Sequence, residues 1–74
     1  MREIVVGSKW RHFKGNIVSI IALAKDSENL RDLVVYKHDG DVWVREKSMF
    51  LSEVDHDKYP DVEQKYRFQK IEED

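Results

Sequence analysis

Apolar residues along this chain fall in short runs divided by polar turns, and the clearest pair of runs brackets an Asp-Gly step. Leu33-Val34-Val35-Tyr36 and Val42-Trp43-Val44-Arg45 are rich in β-branched and aromatic residues, and Lys37-His38-Asp39-Gly40-Asp41 lies between them. An Asp-Gly pair so placed predicts a β-hairpin, with a two-residue type I′ turn or a slightly longer loop that puts Gly40 in the left-handed region. A lone hairpin is marginal in water, so other strands must pack against it. Ile17 to Ala24 is apolar on both parities, which predicts a central strand with both faces partly covered. Its β-branched residues Ile17, Val18, Ile20 and Ile21 argue against a helix over so short a run.

The weaker segments are read against this frame of strands. Trp10 to Phe13 reads as a short strand entering a turn at Gly15-Asn16. Ile4-Val5-Val6, broken off by Gly7-Ser8, is a short edge strand or an ordered arm within residues 1–6. Asp26 or Ser27 can cap one helical turn in the polar stretch that follows Ala24. Met49, Phe50 and Val54 have helical spacing behind a capping Ser48 and predict a single turn that plugs one end of a barrel. Asp55 to Asp61 is a polar loop in which Pro60 holds Tyr59 extended. Lys65 to Ile71 reads as a last strand with imperfect alternation, a helix from an Asp61 cap being its rival, and 72–74 as a frayed tail. Five short strands and one helical turn predict an all-β fold, a single small barrel over residues 1–74. Closure removes edges that so small a sheet cannot otherwise protect.

Length and composition narrow the picture. With 74 residues there is one domain and one small core, and with no cysteine there is no disulfide to brace it. At 11% aromatic residues, dense ring packing or association of copies is the available compensation. Eight residues, the length of the Ile17–Ala24 run, cannot cross a bilayer, and Met1 to Gly7 has no long apolar stretch of a signal peptide. The reading is a cytoplasmic protein without a membrane partner. The net charge of -2 exerts no overall pull on nucleic acid, but its distribution is uneven. Residues 1–25 carry five basic groups against Glu3 alone, whereas the segment after Ser52 is acidic.

Four segments taken together carry a resemblance: Trp10-Arg11-His12-Phe13-Lys14-Gly15, Ser27-Glu28, Leu33-Val34-Val35-Tyr36, and Trp43-Val44-Arg45 with Met49-Phe50. In this order and spacing the chain resembles DUF1653, a family of small bacterial domains of unknown function. The resemblance spans roughly residues 7–54, with a weaker echo at Tyr66-Arg67-Phe68. It implies an SH3-like β-barrel and supplies no catalytic residues to carry over.

Candidate chemistry is sparse. His12, His38 and His56 lie in different segments with no metal-motif spacing, so no metal and no cofactor is expected. Turn chemistry already explains His38-Asp39-Asp41, and the consecutive Asp55-His56-Asp57 of a polar loop rarely converge on one point. A weak hydrolase pairing His12 with a carboxylate such as Glu28 is the least supported class. Binding does better. Trp10, Arg11, His12 and Lys14 place an indole, a guanidinium, an imidazole and an amine within five positions, and Trp43 with Arg45 repeats the theme. Such a surface stacks on a planar group and grips an anion with a two-pronged guanidinium. If Trp43 and Arg45 face outward, Val42 and Val44 take the core side; the reverse leaves the valines outside. In a core-filling role, Arg45 instead ties loops together by pairing with Glu28 or another carboxylate. The reading is a small binding module, with a peptide or protein as partner ahead of a short single-stranded nucleic acid. The alternative is an interaction protein whose apolar edge builds a homodimer without a ligand groove.

Overall fold

The computed structural model describes residues 2–72. Five strands, β1 (Lys9–His12), β2 (Ile17–Lys25), β3 (Asp32–His38), β4 (Asp41–Glu46) and β5 (Phe68–Lys70), and one helical turn, α1 (Lys47–Phe50), form an all-β fold. Every strand pairing is antiparallel, and the spatial order is β4-β3-β2-β1-β5. The predicted barrel does not close. β4 and β5 are the two ends of that order, and β5 has only three residues, all of them paired with β1. The sheet curls until its ends approach through side chains instead. The Arg45 guanidinium of β4 lies 5.8 Å from the ring centroid of Phe68 in β5.

The hairpin forms as its sequence demands. Asp39 and Gly40 both have positive φ, 52° and 84°, the signature of a type I′ turn, and His38 pairs with Asp41 across it. The expectation that both faces of β2 are partly covered is met unevenly. Val18 and Ile20 are buried while Ile17 and Ile21 are exposed, so the outer face of the strand is open to solvent; Leu23, opposite the buried Val34, is on the concave side but exposed. The register of β2 on β3 also shifts between Ile20 and Ala22, an irregularity that inserts Ile21 and bends the strand.

Rings fill the concave side. Trp10, Tyr36, Phe50 and Phe68 are all buried; Phe50 and Phe68 stack at 4.0 Å and Trp10 meets Phe50 edge-on at 5.5 Å. The helical turn therefore plugs the core as predicted, through Phe50, but Ser48 does not cap it. Ser48 lies inside α1, and Glu46, which precedes the turn, makes no capping side-chain bond. No helix starts at Asp61; the segment before β5 is a turn with Val62 N–H donating to Tyr59 O. The first residues form an arm, not a strand. Ile4 is buried, and Arg2 donates to Phe68 O at 2.8 Å and Leu51 O at 2.6 Å while its guanidinium lies 3.6 Å from the Tyr66 ring centroid. Of the expected frayed tail, Glu73 and Asp74 lie outside the described residues.

Candidate functional site

Cross-strand partners share a face of a sheet, so the register decides where each candidate side chain points. Trp43 pairs with the buried Tyr36 and Arg45 with the buried Val34, which sets both on the concave side. The placement of Val42 and Val44 on the core side is thereby corrected: they occupy the outer face, 60% and 58% exposed. Trp43 nevertheless stays 49% exposed because β4 is an end strand and, among the described residues, no further strand covers the concave rim beyond it. Trp10 is 0% exposed. It belongs to the core, and its indole N–H donates to Ser8 Oγ at 3.0 Å. Arg11 pairs with Ile17 and Gln69, on the face opposite to Trp10 and His12. Of the six candidates, the fold gathers His12, Lys14, Trp43 and Arg45, and leaves Trp10 and Arg11 apart.

Two clefts meet at His12 and Arg45. One, of about 100 Å³, is walled by those two together with Trp43, His38, Asn16 and Phe68. The other, of about 310 Å³, adds Lys14, Lys58 and Arg67 as cations, Phe13 and Tyr59 as rings, and Asp55 as its single carboxylate. His12 and Arg45 wall both, so this paired groove has the open indole on one side and a cluster of positive charge on the other. A larger open hollow of about 840 Å³ lies elsewhere, under the N-terminal arm, where Arg2 spends its donors on main-chain carbonyls.

The local sequence explains why these groups converge. His12 ends β1, and its Nδ1 accepts the Lys14 N–H at 3.1 Å while the tight return at Gly15 (φ 101°) swings Lys14 back toward the loops. The His12 ring meets Phe68 edge-on at 4.9 Å and leans on Phe13 at 4.4 Å. Arg67 is fixed through its backbone, receiving Phe13 N–H at its carbonyl and donating its own N–H to Ser52 O, both at 2.9 Å. The Gln64 amide braces the same segment by donating to Tyr66 O at 2.8 Å. The Arg67 Nε is buried without a hydrogen-bond partner, a costly state for a charged donor. Burial foremost, then the charges of Arg45, Lys14, Arg67 and His38, lower the His12 pKa below its ordinary value, so the ring is neutral at pH 7.

Arg67, Lys58 and Tyr59 were not among the residues singled out from sequence. The only signal was the aromatic-basic echo at Tyr66-Arg67-Phe68, whose irregular alternation obscured its face. Neither cleft lined by His12 includes Glu28, whose N–H instead donates to Asp26 Oδ1 in the turn before β3. Among the described residues Arg45 makes no ion pair; its neighbour Glu46 does, with Arg31 at 3.0 Å. Asp55-His56-Asp57 is turn chemistry, Asp55 Oδ1 accepting from the Asp57 N–H at 3.1 Å. Among the described residues no group of three or more His, Asp or Glu is placed to hold a metal ion, and no helix is long and apolar enough to cross a membrane.

Comparison with known proteins gives one match. A family model described as "Protein of unknown function (DUF1653)" covers residues 8–70 of the 74. No curated protein and no solved structure matches the chain.

Proposed function

Since the chain belongs to the DUF1653 family, whose description assigns no activity, we propose a function from the groove itself: a small binding module that takes a short anionic segment. One observation carries the reading. Lys14, Arg45, Lys58 and Arg67 converge on one cleft against Asp55 alone, and one of the guanidiniums has a buried donor with no partner. Clustered cations held by other parts of the fold repel one another, and an arriving phosphate or carboxylate relieves that repulsion while accepting the idle N–H. The rings of Phe13, Tyr59 and His12 beside them suit a planar group.

The excess of cations favours a few nucleotides of single-stranded nucleic acid over a peptide, since a phosphodiester carries a charge at every unit. The acidic surplus of the C-terminal segment does not oppose this, because within the groove it contributes Asp55 against two cations, Lys58 and Arg67.

An NMR titration with short single-stranded RNA and DNA and with an acidic peptide tests the proposal. We expect nucleic acid to shift the signals of His12, Lys14, Arg45 and the Arg67 Nε–H, with affinity falling as salt rises. Arg45→Ala should weaken binding about tenfold and reduce the salt slope by about one, as for loss of a phosphate contact. Shifts produced by the acidic peptide alone would transfer the site to a protein partner. No shift in the groove with any of the three would end the proposal.

A further inference from the structure

We propose that two copies of this chain associate by pairing their β4 strands edge to edge, antiparallel and centred on Trp43. The two ends of the sheet differ in kind. β5 is only three residues long and ends on the charged Lys70, both devices that blunt an edge. β4 is six residues long and shows Val42, Trp43 and Val44 in succession, all exposed, with no proline, lysine or bulge among them. An edge of that composition is a template for another strand.

The turn fixes which backbone groups of β4 are available. In a two-residue hairpin the flanking pair, here His38 and Asp41, is hydrogen-bonded, and bonded and non-bonded pairs then alternate. Asp41, Trp43 and Arg45 therefore point their N–H and C=O groups at β3. Val42 and Val44 point theirs away from it, toward the free edge.

Side-chain charge selects the occupant and the register. A continuous sheet requires that paired residues share a face, so a two-fold pairing must centre on a residue. Centred on Trp43, Asp41 faces Arg45 of the partner subunit, Val42 faces the partner's Val44, and the two indoles meet on the axis. The strand is complementary to its own reverse. Centred one residue further on, Val42 would face the partner's Glu46, and Asp41 would pair beyond the strand, with a residue of α1. The Trp43 register exchanges main-chain bonds between Val42 and Val44, matches apolar with apolar, and sets opposite charges together at both ends. Arg45 has five donors, so a carboxylate from the partner leaves it others for the groove. Lys14, Lys58 and Arg67 lie off β4, and the pairing does not depend on the groove's having a ligand.

Sedimentation velocity over roughly 10 μM to 1 mM protein, the range suited to a small interface, should show a monomer giving way to a dimer. Amides of Val42 and Val44 should gain protection from hydrogen exchange as the dimer forms. Asp41→Lys and Arg45→Asp each set like charges opposite one another and should weaken self-association about tenfold or more. An equimolar mixture of the two variants should dimerise again, because each supplies the charge that the other lacks. That recovery is specific to the Trp43 register and also shows that both variants are folded. A single monomeric species at the highest concentration, or a dimer indifferent to both substitutions, would overturn the proposal. Failure of the mixture to recover would overturn the register.

Discussion

His12 is where ring packing and charge meet most closely, and its behaviour with pH follows. Its folded pKa lies below the ordinary 6.5, so the folded protein holds fewer protons than the unfolded chain as pH drops through that value. The stability tied to the neutral ring is therefore complete above about 6.5 and is lost as pH falls toward the depressed folded value. Denaturant unfolding followed between about pH 7.5 and 5 should show this decline, and His12→Gln should flatten it. An anion in the groove acts in the opposite sense and should raise the His12 pKa, read from its ring proton shifts. The other informative residue is Arg2, which joins the arm to two carbonyls and one ring far along the chain. Arg2→Ala should cost about 1–3 kcal/mol in unfolding free energy, through lost charge-assisted hydrogen bonds and packing. At this scale sequence reading separated the two tryptophans poorly. Trp10 and Trp43 sit in similar aromatic-basic surroundings, but one pairs into the middle of the sheet and the other lies on its rim. Only the strand order distinguishes them.

The elements themselves were legible. Asp39-Gly40 located the hairpin, the β-branched run located β2, and Phe50 within its helical spacing located α1. Local rules decide such features, and Gly40 illustrates them: its φ of 84° disfavours any side chain. Gly40→Ala should lower stability by about 1–2 kcal/mol in thermal or denaturant unfolding. Facing and register were harder because they depend on partners distant in sequence. Val42 and Val44 alternate with Trp43 whichever way the strand is turned, and only the pairing of Trp43 with Tyr36 breaks the tie. The groove was legible in part for the same reason. His12, Lys14, Trp43 and Arg45 carry an aromatic-basic pattern visible in short windows, whereas Lys58, Tyr59 and Arg67 come from loop segments whose place beside β1 no periodicity announces.

For the molecule as a whole, an open curled sheet replaces the expected closed barrel, and aromatic side chains span the gap that backbone hydrogen bonds would have closed. With no disulfide, the stacked rings must supply much of the cohesion. Phe50→Ala would remove a ring that touches Trp10, Tyr36 and Phe68, at about 3–5 kcal/mol, enough to unfold a domain this small.

The pairing of β1 with β5 has a consequence in time. β2, β3 and β4 form a meander whose partners are near neighbours in sequence, and its type I′ turn can close within microseconds. Trp10 meets Lys70 only after the loop of chain between them has been ordered, and the entropy of that closure is spent before any contact compensates for it. The final strand should therefore dock last in folding and release first under native conditions. Hydrogen exchange should find the amides of Phe68 to Lys70 opening at lower free energy than those of β2 and β3. Because Phe68 opens this late-docking strand and Arg67 directly precedes it, the basic end of the groove should be completed only at the last step of folding.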